Sequence, residues 1–599
     1  MTTKKPVSWN LTHLRACDDD PRIQQEFDEI RVSYSRFAEK WQANTSYLTS
    51  VDSLLEALVE LEMLTETYGA IGKSGYYWIL RGVQQQNHAK VKQMQAVTFA
   101  LDSDISNKIE FFTNTLGRVP PSQQEVFIKS SKLAQYRHFL EKLFVQARYV
   151  LSEPEEKILA KLQQSAWDKW IALRSVFLSN ETAKVLTETG VVETKMLEEL
   201  MSLVQSKHEK VRKSAGKAIN KILKRNALLA EHELNAILLT KKMVDEIRKL
   251  PRPDSAQHLE DDIESETVDV LIATVSSHFD LPQRYYRLKA ALLGKKQLEY
   301  YERAVEYGEL SATYSFEEAI KIVSKVFNNL DSQFAELFNR FVTDGLIDPF
   351  PSVGKAHGAA CFGGTKLLPV YQYMNFTGRL RDILTLAHES GHAINDELSK
   401  VQHSLDYGTS KATAEVASTF MEDFVLEYVA RNLTDKDKLS LYIARLDDQV
   451  ATIFRQTALY NFETELHKTF RDKLYLTHEE IGKLFVKHMK SYMGESINFA
   501  KGAKNWWVDW PHIRIPFYVY SYVGGLLISM SLQSRVRGDR KFIERVKVFL
   551  SAGVSKSPKD IFSDMGIDIT KQVFWENGIS EFEKLLTDAE NLAKTLKLP

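Results

Sequence analysis

The dominant regularity in the chain is helical. Leu54, Leu55, Leu58, Leu61 and Leu64 recur at spacings of three and four, and similar sets fill the proline-free stretches 22–119 and 155–250. This period gathers apolar side chains on one face of an α-helix and leaves the opposite face to water. Residues 355–373 read differently. Gly358, Gly363, Gly364 and Pro369 punctuate a segment that ends in Val370-Tyr371-Gln372-Tyr373, which predicts extended structure with turns. The pattern predicts a mainly α protein with little sheet. No internal repeat of 30–45 residues is present, which disfavours a solenoid. Pro251-Arg252-Pro253-Asp254 reads as a loop, and the chain divides in this reading into an N-terminal helical lobe, 1–200, and a second lobe, 201–599.

One predicted helix carries chemistry. Ile383, Leu384, Leu386, Ala387, Ala393, Ile394 and Leu398 form an apolar stripe, with Thr377 as the expected N-cap. Within the stripe lies His388-Glu389-Ser390-Gly391-His392. Two histidines four residues apart project from the same helix face, one turn above the other. Such a pair can grip one Zn²⁺ through neutral imidazoles at roughly 2.0–2.1 Å. Glu389 lies about 100° around the helix from the first histidine, placed to reach a water at the metal rather than the metal itself. Gly391 costs about 1 kcal/mol relative to alanine inside a helix, which points to close approach of another element or a substrate.

A catalytic zinc site typically takes three protein ligands. Val416, Ala417, Phe420, Met421, Phe424, Val425 and Tyr428 predict a second helix, and Glu415 sits near its start. Packed antiparallel on the first, this helix would bring Glu415 beside His388 and His392. Ser418, Thr419 and Glu422 lie further along the same side, and one of them is placed to receive a ligand N–H. The competing reading of Glu415 is a solvated acid favoured by the helix dipole.

Composition narrows the alternatives. The formal charge is −1 and the pI about 7.0, which gives no global attraction to nucleic acid or acidic lipid. The basic run from Lys207 to Arg225 is interleaved with Val211, Ala215, Ala218, Ile219 and Ile222, the pattern of a solvated amphipathic helix. Two cysteines, Cys17 and Cys361, make no disulfide framework and leave only His and carboxylate ligands for a metal. The first residues hold no apolar signal core, and no run approaches 18 apolar residues. The expectation is a cytoplasmic protein without nucleic-acid or membrane partners.

The residues also carry a resemblance. His388 to His392 followed by Glu415-Val416-Ala417-Ser418 resembles the zinc peptidases of the oligoendopeptidase F and thimet oligopeptidase type. Trp9-Asn10-Leu11-Thr12, Lys355-Ala356-His357-Gly358-Ala359-Ala360-Cys361, Met374-Asn375-Phe376-Thr377-Gly378, Pro511-His512 and Phe517-Tyr518-Val519-Tyr520-Ser521-Tyr522 are similar to further segments of that family, in order. The resemblance implies two helical lobes around a deep channel, zincin-type catalytic helices with a small β-sheet beside the active site, and a catalytic role for lobe 201–599. It implies one zinc ion on His388, His392 and Glu415, with Glu389 as general base. His512 with Tyr520 (first choice) or Tyr518 (second) would bind peptide and stabilise the oxyanion. Where the family usually carries aromatics after this histidine, the chain has Ile513, Arg514 and Ile515. Tyr518, Tyr520 and Tyr522 alternate, so one regular element does not aim all three at one point. Trp506, Trp507 and Trp510 read as core, Gly524-Gly525 as a turn able to close on peptide, and His357 as no ligand.

The function expected is internal cleavage of short unfolded oligopeptides. Two alternatives are a helical zinc carboxypeptidase that trims free C-termini and a non-catalytic helical binding protein.

Overall fold

The computed structural model describes residues 8–308, 312–499 and 502–598. Their contacts group into two compact units, each assembled from three chain segments. The first draws its described residues from Met1–Arg148, Ser311–Arg431 and Arg535–Ile567, the second from Tyr149–Leu310, Asn432–Ser534 and Asp568–Pro599. Both are mainly helical, and the sheets among the described residues are one of three strands and two of two strands. These units cut across the division expected at residue 200. Residues Lys169–Ser179 and the hairpin Thr182–Leu186/Val192–Met196 pack on the helix Glu209–Arg248, so the chain on either side of residue 200 shares one core.

The predicted periodicities become packed faces. Helix Val51–Thr67 buries Leu54, Ala57, Leu58 and Leu61, and Ser50 caps it by accepting from Ser53 N–H. Those leucines meet Phe37, Trp41, Phe112 and Leu116 from the helices Arg22–Ala43 and Ala89–Gly117. In the second unit, Glu209–Arg248 buries Val211, Ala215, Ala218, Ile219 and Ile222. Lys210, Lys213, Lys217, Lys221 and Lys224 of the basic run stay exposed, as a solvated face requires. Arg212 is the exception, buried on Glu302 at 3.1 Å. Among the described residues no helix is long and apolar enough to cross a membrane.

The first unit contains the three-stranded sheet. Tyr371–Tyr373 is its middle strand, parallel to Ile347–Asp348 and antiparallel to Ala360–Phe362, which forms one edge. Trp9 Nε1–H donates to the carbonyls of Leu346 and Gln372 at 3.0 and 2.7 Å, so the N-terminal Trp-Asn signature pins the sheet. Buried Lys355 donates to Asp348 Oδ1 and to the carbonyls of Asp348, Phe350 and Met374. It thereby gathers the turns at the strand ends around one ammonium group.

The helix Leu380–Ser399 lies against this sheet, and Ser390 Oγ–H donates to Gln372 Oε1 at 3.0 Å. Ser390 is therefore a tie between helix and sheet. The helix starts later than Thr377 predicts. Arg379 is its N-cap, and Asp382 in the first turn accepts from the backbone N–H of Arg379 and from both N–H and Oγ–H of Thr377. A carboxylate at the third helical position thus takes the N-cap N–H, as in a capping box, and ties the preceding turn at Thr377 to the helix start.

Helix Ala414–Ala430 packs along Leu380–Ser399, and the two backbones come closest at Gly391. A Cβ placed there would lie 2.7 Å from both the Ala417 carbonyl oxygen and Ser418 Cα. Another helix, not a substrate, fills the space that the glycine leaves. Gly391→Ala gains about 1 kcal/mol of helix propensity, but overpacking against backbone typically costs about 1–3 kcal/mol. The expected outcome is a lower melting temperature together with loss of activity, because the Ala414–Ala430 helix must move outward. An alanine variant that is more stable and fully active would refute this account of the packing.

Candidate active site

The approach at Gly391 determines which side chains meet. His388 and His392 leave the same face of their helix, with ring centroids 5.0 Å apart. Glu415, in the first turn of the neighbouring helix, faces both. Its Oε2 lies 3.3 Å from His388 Nε2 and 3.5 Å from His392 Nε2. One ligand atom from each of the three residues falls within 4.8 Å of the other two. Behind them, His388 Nδ1 bonds Glu422 Oε2 at 3.1 Å, and Ser418 Oγ–H donates to Glu415 Oε2 at 2.9 Å. Of the three side chains that the sequence offered for the ligand N–H, Glu422 takes it, while Thr419 turns back to the carbonyl of Glu415.

The charges explain one another. Burial alone would depress the His388 imidazole, but hydrogen bonds to Glu415 and Glu422 carry it up to about 10. Burial would raise Glu415, yet the two histidines hold its carboxyl well below the usual carboxylate range. The cluster is therefore built to stabilise positive charge at the histidine nitrogens. Two imidazole nitrogens and a carboxylate oxygen, with a second carboxylate behind one imidazole, are a fitting donor set for a divalent transition metal. Glu389 is 8% exposed, and burial pushes its carboxyl above the ordinary value. It makes no hydrogen bond or ion pair among the described residues, which leaves both oxygens available. His357 lies outside the cluster, as expected.

The aromatic segment belongs to the second unit and sorts itself. Trp506 and Trp507 are buried, while Trp510 is half-buried. His512, Tyr518 and Tyr522 gather in one half-buried group, with centroids 5.6 Å apart for His512–Tyr518, 6.2 Å for His512–Tyr522 and 5.6 Å for Tyr518–Tyr522. Tyr520 points elsewhere. It is 1% exposed and its hydroxyl donates to Asp261 Oδ2 at 2.5 Å. Gly524 and Gly525 form no turn; they lie inside the helix Tyr520–Gly538, between buried Val523 and Leu526.

The sequence comparisons bear on this geometry. The model of peptidase family M3 matches residues 202–581, and that of the oligopeptidase F N-terminal region matches residues 116–175. The chain belongs to peptidase family M3. This M3 chain is 24% identical to the oligoendopeptidase F homolog of Borreliella burgdorferi over 98% of each chain. It is 26% identical to group B oligopeptidase PepB of Streptococcus agalactiae over 91% of each. Its fold matches the crystal structure of oligoendopeptidase-F from Enterococcus faecium with a TM-score of 0.71 at 20% identity, covering 96% of this chain and 100% of that one. The family makes the protein a metallo-oligopeptidase, and a metal is implied with it.

Within the aromatic segment's own unit, the sequence reading gave Tyr522 no role and did not name Glu463. Tyr522 lies in the first turn of the helix Tyr520–Gly538, whereas Tyr518 precedes that helix. Glu463 carried no signal, because it lies 54 residues from the backbone it serves. Phe517, just before Tyr518, has φ +66°, a conformation that costs a bulky residue of the order of 1–3 kcal/mol. Its N–H donates to buried Glu463 Oε2 at 2.6 Å, which holds the turn in place. Burial pushes the Glu463 carboxyl up to about 8. Glu463→Ala strands that N–H and is expected to cost about 1–3 kcal/mol in urea unfolding, whereas Glu463→Gln keeps an acceptor. The folded state holds the Glu463 proton more tightly than the unfolded chain, where the ordinary value is 4.5. Its contribution is thus complete below that value and lost as pH rises through about 8. Stability should fall more steeply from pH 5 to 8 in the wild type than in Glu463→Gln, and parallel profiles would contradict the assignment.

Proposed function

We propose that this M3 peptidase hydrolyses internal bonds of short unfolded oligopeptides with one zinc ion held by His388, His392 and Glu415. The observation that carries the reading is the convergence of three ligand atoms within 4.8 Å beside the free carboxylate of Glu389. The relatives named oligoendopeptidase F support peptide as substrate. Zinc, when bound, supplies a Lewis acid for the scissile carbonyl and lowers the pKa of water from 15.7 toward about 7.

The protein groups do the rest. Glu389 accepts a proton from the attacking water and passes it to the leaving amine nitrogen, a task matched by a buried carboxyl with an elevated pKa. Glu422 fixes the tautomer of His388 by accepting a hydrogen bond from its Nδ1–H, which leaves Nε2 as the free ligand nitrogen. We assign peptide binding and oxyanion stabilisation to His512 and Tyr518, with Tyr522 beside them. Tyr520 supports that segment from the interior through Asp261. The M3 match over residues 202–581 includes every residue assigned a role here. Cytoplasmic residence is part of the proposal, and its support is that Cys17 and Cys361 are both free.

Glu389→Gln is expected to abolish turnover while metal content, measured by mass spectrometry of the purified protein, stays at one ion per chain. His388→Ala should lose both. A Gln variant that still cleaves would remove Glu389 from the mechanism, and a metal-free wild type would favour a binding protein. A peptide blocked at its C-terminus should be cut internally, which a carboxypeptidase does not do. Tyr518→Phe should lower kcat by about 10²–10³, the usual loss for one oxyanion donor. Tyr520→Phe should act mainly on stability, and the reverse ranking in kcat would restore Tyr520 as donor.

A further inference from the structure

The second unit carries an excess of guanidinium charge around Trp507–His512. Arg174 and Arg514 share one carboxylate. Arg514 grips Glu233 through two bonds of 2.9 and 2.6 Å, and Arg174 Nε lies 3.4 Å from the same group. Half-buried Asp509 is a second acid close to these arginines. Burial raises its pKa against Arg174, Arg514 and Arg303, with Glu198 acting from the surface. Arg303 and Arg455 have no carboxylate within ion-pair distance among the described residues. Among the described residues, Arg174 and Arg514 thus share Glu233, while Arg303 and Arg455 form no ion pair.

The two uncompensated arginines sit on the same ring. The Arg303 guanidinium lies 5.8 Å from the Trp510 centroid and Arg455 lies 5.5 Å from it. Arg303 is also stacked on Tyr300 at 4.4 Å and Trp506 at 4.5 Å, and its Nη1–H donates to the Tyr300 carbonyl at 2.9 Å. The Nε atoms of both arginines are buried without a protein acceptor, as is the hydroxyl of Tyr300, which is 2% exposed and feels both charges. The Arg455 charge also bears on His512, whose pKa is lowered first by burial and then by this arginine.

Stacking on aromatic faces holds a guanidinium in place but leaves its in-plane N–H groups unsatisfied, and a carboxylate is the group that matches them. We propose that Arg303 and Arg455, set on Trp510 next to His512, form a subsite for a carboxylate of the bound peptide, its C-terminal carboxylate or an acidic side chain. The proposal rests on the reading that the His512–Tyr518–Tyr522 group contacts bound peptide. An oligopeptidase meets such a group on every substrate, because a short chain always carries its own terminus. Acidic side chains are the second source of the same chemistry.

The test uses full-length, metal-loaded protein and three matched peptides. One has a free C-terminal acid, one a C-terminal amide, and one an amide with a single glutamate in place of a glutamine. Calorimetric binding is measured in the Glu389→Gln background, so that the result does not depend on turnover, and KM is measured in the active enzyme. The expected result is roughly tenfold or tighter binding for one of the carboxylate-bearing peptides, the range of a hydrogen bond to a charged group. Arg455→Gln and Arg303→Gln should collapse that preference toward one, and Arg455→Lys should keep part of it. If wild type shows no preference for either carboxylate, or the variants weaken all three peptides alike, the arginines are structural and the subsite is excluded. Should Arg303→Gln fail to fold, the Arg455 pair decides the question alone. A wild type that binds the acid preferentially but cleaves nothing would overturn the peptidase reading and leave the subsite standing.

Discussion

The first unit depends on one close approach, that of the backbone of Leu380–Ser399 to the backbone of Ala414–Ala430 at Gly391. Helix axes are commonly held 8–10 Å apart by the side chains at the contact. A glycine removes that spacer, and the Ala417 carbonyl and Ser418 Cα occupy the room a methyl group would need. The consequence is chemical. Glu415 lies less than one turn before Ser418 on its own helix, and His388 and His392 lie three residues before and one after Gly391. Bringing the backbones together at that level lets one carboxylate oxygen face two imidazoles at 3.3 and 3.5 Å. Ser390, adjacent to the contact, ties the same turn to the sheet through Gln372. The spacer residues between the histidines are thus positional devices: one admits the neighbouring helix and the other fixes the strand.

Charge takes over where packing stops. Three carboxylates, Glu389, Glu415 and Glu422, crowd two histidines, an arrangement that repels itself unless positive charge lies among them. Their environments separate their roles. Glu415 is held ionised by the histidines it touches, Glu422 is spent on a ring N–H, and Glu389 is buried without a partner so that its proton affinity rises. Groups of one residue type whose pKa values are driven apart divide acid–base work among themselves. In this centre the divergence comes from geometry a few ångströms in extent, set by which helix each residue rides.

The part of this that was legible in the chain is the part written in helical periods. The leucine spacing of Val51–Thr67, the amphipathic face of Glu209–Arg248, the His-Glu-x-x-His helix and the start of the Glu415 helix all depend on residues within one or two turns of one another. Glu422 fell inside the same reach. What was missed depends on partners far along the chain. The compact units are assembled from three segments each, so no local boundary signal near residue 200 separates them. The alternation of Tyr518, Tyr520 and Tyr522 did announce that one of the three would face away. Which one was decided by Asp261, 259 residues upstream. The cap of the motif helix was misplaced for a different reason, since Asp382 does the work from inside the helix.

The segment after His512 shows how a departure in sequence can be read once its surroundings are known. Arg514, one of the three residues at which the chain departs from the expected aromatic pattern, is 1% exposed. It donates through Nη1 to the carbonyls of Trp507 and Trp510 at 2.8 Å each while Glu233 neutralises it, so it is a cross-brace inside the loop. Two buried carboxylates therefore hold this short stretch, Glu233 at Arg514 and Glu463 at Phe517. Between them the backbone bends through a positive φ that a bulky side chain resists. Such strain persists only where the surroundings over-determine it. In this chain they do so next to His512 and Tyr518, two half-buried side chains whose rings lie 5.6 Å apart.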